Sequence, residues 1–148
     1  MIEKTYSFEK NGNQNDVYTL SNASGARVDI LTYGAKILNI FVPDKNGELG
    51  DVLVGCKRPE DYYEENPYFG STIGRYGNRI GGSKFTINGV EYKLQTNEKG
   101  NCLHGGLDAR FSHKLWDAEI DGNTLVLSLV SPDGDGGFPG TLSVKVFF

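Results

Sequence analysis

Two short stretches hold the side chains of this 148-residue chain best suited to chemistry. In the first, Gly70-Ser71-Thr72-Ile73-Gly74-Arg75-Tyr76-Gly77-Asn78-Arg79-Ile80, two arginines and an asparagine sit among glycines. In the second, Asn101-Cys102-Leu103-His104-Gly105-Gly106, a single histidine precedes a glycine pair. Arginine presents a rigid fork of donors that can hold neighbouring acceptors or steady a developing negative charge. Histidine, with an ordinary pKa of about 6.5, can give or take a proton near neutrality. In glycine-rich loops such groups can converge on a small ligand and move protons on it. Taken alone they suit structural roles as well: ion-paired arginines, a core histidine bonded to a carbonyl, an asparagine supplying a left-handed turn.

The elements that must position these loops read as strands. Residues 4–9 alternate with Tyr6 and Phe8 on one face. Residues 17–20 follow a turn over 11–15, and residues 26–31 put Ala26, Val28 and Ile30 on one side, which predicts a small antiparallel meander. Residues 37–42 are apolar on both faces, as in a covered central strand, and Pro43-Asp44-Lys45-Asn46-Gly47 predicts a turn before a strand over 51–54. The Asn88-Gly89 pair between 85–87 and 90–94 is a type I′ hairpin signal. A second hairpin is expected from 115–120 and 124–130, with Leu125, Leu127 and Leu129 facing one way. The final segment, 141–148, alternates with Leu142, Val144 and Val146 inward and stops on Phe147-Phe148 in mid-strand. This predicts a single domain over 1–148 that is incomplete at its C-terminal end, with an exposed last strand open to pairing with another chain or a missing segment. Between these strands, 58–82 and 95–114 are long and irregular, the kind of connection that forms a lid or a site wall.

Composition narrows the class. With 38% apolar residues, 11% aromatics and 20 glycines, the chain suits many short strands joined by tight turns, so an all-β domain is expected. A net charge of −4 with scattered acids leaves no basic stripe for a phosphate backbone, which excludes nucleic acid as an expected partner. No stretch approaches the roughly 18 apolar residues of a membrane span, and residues 1–10 carry charges rather than an apolar run, so no membrane association and a cytoplasmic location are expected. Cys56 and Cys102 lie in no metal-ligand spacing and read as free buried thiols.

The order and spacing of Ile73-Gly74-Arg75-Tyr76-Gly77-Asn78-Arg79-Ile80, Phe85, Asn88-Gly89-Val90-Glu91-Tyr92-Lys93-Leu94, Asn97, Asn101-Cys102-Leu103-His104-Gly105-Gly106 and Trp116 resemble the aldose 1-epimerase (galactose mutarotase) family. Thr32-Tyr33-Gly34-Ala35, Val42-Pro43-Asp44, Asp51-Val52-Leu53-Val54-Gly55, Ser131-Pro132-Asp133-Gly134-Asp135 and Gly137-Phe138-Pro139-Gly140 also resemble its segments, so the likeness runs from about Val28 to the last residue. The resemblance implies an antiparallel β-sandwich of the galactose mutarotase type, of which this chain carries the N-terminal part. It implies a hexose as the small-molecule partner, with no metal or organic cofactor. Asn78 and Arg79 are then the residues that hydrogen-bond sugar hydroxyls, and His104 is the catalytic and substrate-binding group near the ring oxygen and anomeric centre. Anomers interconvert when a base takes the C1-hydroxyl proton and an acid supplies one to the ring oxygen. In the family, a late glutamate serves as base and a second histidine as acid, and both fall beyond residue 148, so the isolated chain is expected to be inactive.

Further expectations follow from the match and its departures. His113 falls where the family has no catalytic residue and reads as a surface side chain. Gly136 replaces a common acidic residue, which predicts a looser loop, and Gly77 replaces a frequent alanine without consequence. Arg75 reads as structural or as a phosphate contact. Tyr62, Tyr63, Tyr68 and Phe69 read as anchors of the 58–82 loop rather than as a sugar-stacking wall, and Glu64-Glu65 as a solvated surface. Two alternatives share the residues: a non-catalytic carbohydrate-binding module on the same sandwich, and an interaction domain that pairs through its last strand.

Overall fold

Turn chemistry sets where the strands begin and end. In the computed structural model, which describes residues 1–64 and 68–148, β1 (Ile2–Lys10) returns as β2 (Asn13–Ser21) through Asn11-Gly12. Both turn residues have positive φ, as a two-residue type I′ connection requires, so the turn is tighter than the expected 11–15. β3 (Arg27–Leu31), β4 (Lys36–Pro43) and β5 (Leu49–Asp51) complete a five-stranded antiparallel sheet in chain order. The Asp44 carboxylate accepts the N–H groups of Asn46 and Glu48 and closes the turn before β5. The strand expected over 51–54 stops at Asp51. Its carboxylate takes the N–H of Ile40 and of Leu53, which turns the chain away and leaves Val52 and Val54 exposed.

The second half begins with β6 (Arg79–Ile80), then the predicted hairpin of β7 (Lys84–Ile87) and β8 (Val90–Lys93), closed by Asn88-Gly89 with both φ positive. β9 (Cys102–Leu103) pairs back with β6. β10 (Asp117–Asp121), β11 (Thr124–Ser131) and β12 (Leu142–Phe147) form a three-stranded antiparallel sheet with β12 at one edge. Helix is confined, among the described residues, to short 3-10 turns, and no helix is long and apolar enough to cross a membrane.

The two larger sheets share one core, as a sandwich requires. Tyr18 and Ile30 of the five-stranded sheet cluster with Leu125 and Leu127 of the three-stranded sheet, and Phe111 and Trp116 belong to the same cluster. Trp116 is 2% exposed and places its indole N–H on the Phe111 carbonyl at 3.2 Å, so its large apolar surface is buried without stranding the polar edge. Val144, Val146 and Phe148 pack on this cluster, whereas Leu142, expected inward with them, is exposed opposite Ser131 at the end of its ladder.

The five-stranded sheet is covered on its other face as well, where Val17, Leu31, Tyr33, Leu38 and Tyr62 form a second cluster. Ile37 packs on the first cluster and Leu38 on the second, so the strand is covered on both faces at its start, whereas Val42 at its far end is exposed and the expected cover does not extend over all of 37–42. Tyr62 is fully buried there, and Tyr63 stacks on Tyr33 at 3.8 Å and donates to the Asn15 side chain at 2.7 Å, so both anchor the long loop as expected. Phe69 packs on the same cluster. Glu64 lies on the surface 3.6 Å from Lys10, while Glu65 and Pro67 lie outside the described residues. Leu94, Cys102 and Phe138 make a third cluster beneath the 95–114 loop. Cys56 and Cys102 belong to separate clusters as free thiols, Cys102 buried and Cys56 only partly so.

Candidate functional site

The two loops singled out in the sequence are fastened to each other by backbone. β6 and β9 pair with Arg79 opposite Leu103 and Ile80 opposite Cys102. One residue further on, the His104 N–H donates to the Asn78 carbonyl at 3.0 Å, and the Asn78 N–H donates to Nδ1 of the His104 ring at 2.9 Å. Asn78 and His104 both have positive φ, at 67° and 53°. Asn78 therefore supplies the turn conformation anticipated for it and also fixes the histidine ring. Gly105 follows at φ 95°, and any Cβ there would fall on the Gly74 carbonyl, so the close approach of the loops requires glycine at that position.

Side chains inside the second loop complete the scaffold. The Asn97 amide donates to the carbonyls of Leu103 and Gly106, both at 2.9 Å, and accepts the Leu103 N–H at 2.7 Å. Gln95 accepts the N–H groups of Leu107 and Asp108. The Gln95 N–H reaches the carbonyl of Gly136, where a Cβ would meet that of Ala109 at 2.6 Å. Gly136 is thus a close-packed point at positive φ, not the loosened loop expected from the loss of an acidic residue. At Gly77, by contrast, an added Cβ meets only Ile73 at 3.9 Å, in line with a neutral replacement.

The arginines divide into two roles. Arg75 gives its fork to the 131–139 loop: Nε to the Ser131 hydroxyl, Nη2 to the carbonyls of Ser131 and Pro132, and Nη1 to the Pro139 carbonyl, all between 2.7 and 3.0 Å. These bonds make Arg75 structural and leave it no fork for a phosphate. Arg79 is half exposed and donates from Nε and Nη2 to the two oxygens of Glu98, at 3.0 and 3.4 Å, and from Nη1 to the Asn78 side-chain oxygen at 3.1 Å. Of the five N–H groups of a guanidinium, two remain without a partner among the described residues. The hydrogen bond from Arg79 holds the Glu98 carboxyl below its ordinary range, and Glu98 in turn raises Arg79.

At His104 the Asn78 N–H occupies Nδ1, so the neutral ring carries its proton on Nε2. Nε2 has no hydrogen-bond partner among the described residues. Burial, and then the charge of Arg79, lowers the His104 pKa and favours that neutral form. Tyr68 meets the ring edge-on at 4.7 Å, and its hydroxyl lies 3.4 Å from Arg110. Unlike Tyr62 and Tyr63, Tyr68 therefore borders the site itself.

Three other groups depart from the sequence reading or escaped it. His113, expected on the surface, is half-buried: Nδ1 lies 2.9 Å from the Ser112 hydroxyl, the ring packs against Tyr33, and burial with Arg110 and Lys36 lowers its pKa to about 4. Its place directly after the buried Phe111-Ser112 pair is set by the core. Lys36, unremarked in the sequence, is fully buried with its ammonium on the Ser112 and Tyr33 carbonyls, and burial pushes its pKa down to about 7. Glu98 also escaped notice, since its partner lies 19 residues away across two loops.

A hollow of about 460 Å³ opens beside Arg79, walled by Ile80, Phe85, Ile87 and Phe138, with Arg75 and Tyr76 also lining it. A larger one of about 680 Å³ lies over β1 and β3, where Arg27, Lys57 and Arg58 alternate with Glu3, Asp29 and Glu60, away from both loops. Its three cations and three carboxylates balance in charge and none of Asn78, Arg79 and His104 lines it, while the smaller hollow is lined by Arg79 but by neither Asn78 nor His104. Among the described residues, no group of histidine, cysteine, aspartate and glutamate is arranged to hold a metal ion.

Comparison with known proteins matches this geometry to one family. A galactose mutarotase of Bos taurus is 43% identical over 122 residues, which cover 82% of this chain and 35% of that protein. An aldose 1-epimerase of Escherichia coli (strain K12) is 35% identical over 147 residues, covering 99% of this chain and 42% of that one. The crystal structure of a galactose 1-epimerase from Lactobacillus acidophilus NCFM superposes with a TM-score of 0.80 at 26% identity over 99% of this chain and 43% of that one. An aldose epimerase homologue from C. elegans gives 0.81 at 26% identity over 87% of this chain and 40% of its own. The chain thus spans less than half the length of these relatives. With the aldose 1-epimerase family model matching residues 16–148, the chain belongs to the aldose 1-epimerase family.

Proposed function

We propose that the 70–80 and 95–106 loops form the sugar-holding wall of an aldose 1-epimerase, which interconverts the α and β anomers of a hexose such as galactose or glucose by acid/base ring opening. One observation carries the reading: Arg79, with two donors unengaged, lies close enough to lower the pKa of His104, whose Nε2–H, set by a backbone N–H on Nδ1, has no partner among the described residues. Two donors on one rigid, planar guanidinium suit two sugar hydroxyls. A neutral imidazole N–H suits the ring oxygen, which gains negative charge as the C1–O5 bond opens. The Asn78 side-chain amide adds a further donor at the same edge.

The proton steps divide unevenly. His104 in this tautomer donates a hydrogen bond and stabilises charge, while Glu98, held by Arg79, is a poor base. The groups of this chain therefore hold the sugar and polarise its ring oxygen. The same donor set serves a carbohydrate-binding module, and one sample separates the two readings. Galactose is titrated into the chain with NMR observation of the His104 ring and Arg79 Nε signals, while anomer exchange is followed in the sugar spectrum. Shifts at both residues are expected in the wild-type chain, and the shift at His104 should vanish in Arg79→Ala. Because this chain is expected to lack the base, sugar-dependent shifts alone fit both readings, acceleration of anomer exchange above the buffer rate excludes the module, and galactose that leaves both residues unmoved overturns the site.

A further inference from the structure

We infer that Glu98 is a positioning and charge-selecting residue of this site: it aims the Arg79 guanidinium and reserves it for neutral sugars over sugar phosphates. The inference rests on the sugar-holding role proposed for Arg79.

Positioning follows from how the donors are shared. Glu98 engages Nε and one Nη of Arg79, the side edge of the fork, with Oε2 at 3.0 Å and Oε1 at 3.4 Å. Asn78 takes one further N–H. The two donors left over, one on each Nη, are then held in one fixed plane, which a flexible, half-exposed arginine would not achieve unaided. Glu98 is itself held. The Glu98 and Asn101 backbones bond each other in both directions across a turn in which Lys99 and Gly100 have positive φ, and the Asn101 side chain helps to keep the carboxylate ionised.

Charge selection follows from the same contact. A phosphoryl group recognised by arginine is held through a two-donor fork and through net positive charge. At Arg79 one edge of the fork and the charge are already answered by a carboxylate. Arg75 is spent on the 131–139 loop and cannot substitute. A phosphorylated sugar at this wall meets a guanidinium whose field is cancelled and a carboxylate close behind it. A neutral hydroxyl pair meets two good donors and no repulsion.

The test compares wild type, Glu98→Gln, Glu98→Asp and the double variant Glu98→Gln/Arg79→Ala, each titrated by NMR with galactose, galactose 6-phosphate and inorganic phosphate at low and high salt. Glu98→Gln should strengthen binding of both phosphates on the order of tenfold at low ionic strength, with the gain collapsing near 1 M salt where screening acts within about 3 Å. Galactose binding should weaken a few-fold, Glu98→Asp should restore the wild-type preference, and the double variant should lose the phosphate gain. A merely structural role would weaken all three ligands in proportion and leave their ratio and salt dependence unmoved. Galactose binding that depends on Arg79, together with an unchanged ratio in Glu98→Gln or a gain that survives loss of Arg79, overturns this inference alone. A phosphate gain through Arg79 in a protein that never binds galactose overturns the sugar-holding reading and leaves the carboxylate's charge block standing.

Discussion

Replacing Lys36 with methionine should abolish a rise in stability with pH that the wild-type chain shows above neutrality. Lys36 is 1% exposed, and its ammonium rests on the carbonyls of Ser112 and Tyr33 and over the Tyr33 ring at 4.2 Å. Carbonyls and a ring face satisfy hydrogen bonds but do not repay the loss of hydration that a full charge suffers on burial. Burial, reinforced by the Arg110 charge, therefore brings its pKa from 10.5 down to about 7.

The sign follows from proton counting. The unfolded chain keeps the lysine proton up to about pH 10.5, and the folded chain releases it near pH 7. Between those values the unfolded state binds more protons, so stability rises with pH. The full shift corresponds to about 4–5 kcal/mol at 1.36 kcal/mol per unit, and about 3 kcal/mol of it falls between pH 7 and 9.5. The two cysteines, whose pKa values burial raises, act in the opposite sense over part of this range, so the difference between wild type and Lys36→Met isolates the lysine. Urea unfolding at constant ionic strength should show wild type gaining about 3 kcal/mol relative to Lys36→Met between pH 7 and 9.5. Parallel curves for the two proteins would refute the reasoning and imply that water reaches the Lys36 ammonium.

Arg75→Lys should destabilise by about 2 kcal/mol, because an ammonium cannot reproduce four directed bonds from one fork, and hydrogen exchange should accelerate first over 131–139. Gly136→Ala should cost more than about 2 kcal/mol through positive φ and the clash with Ala109, whereas Gly77→Ala should lie within about 0.5 kcal/mol of wild type; thermal melts separate the two. Nitrogen NMR of the His104 ring should find the proton on Nε2 with a titration midpoint below 6.5, and a protonated Nδ1 in the neutral ring would contradict the Asn78 contact. The His113 shift predicts lost stability as pH falls from about 6.5 towards 4, because the unfolded state then takes up the proton that the folded ring refuses; His113→Gln should flatten that limb in acid-unfolding curves.

Where chemistry is local, the sequence spoke clearly. Asn88-Gly89 announced its hairpin because positive φ at two adjacent residues is a property of those residues, and the alternation of Leu125 and Leu127 announced the core for the same reason. Asn78, Arg79 and His104 were legible as a set only through a family pattern. The two-residue strands that join their loops carry no periodicity of their own. Lys36 stood at the head of an apolar strand and drew no notice, and His113 looked like surface, because burial of a charged group depends on what the fold places over it.

Glu98 shows why the remainder was not legible. Its effect on function requires no contact with a ligand, only a bond to Arg79 formed after both loops have closed, and residues 19 apart in irregular chain have no spacing rule that links them. Residues that touch a substrate need particular chemistry and leave a recognisable pattern. A residue that orients the toucher needs only to arrive, and several types on several loops could do so. Specificity can therefore change within such a fold through substitutions in the second loop, at positions such as Glu98, while the Asn78, Arg79 and His104 pattern stays intact. Relatives that share the pattern but lack a carboxylate opposite Arg79 should accept more anionic sugars, and a comparison of phosphosugar against neutral-sugar binding across such proteins would decide whether the ion pair sets that choice.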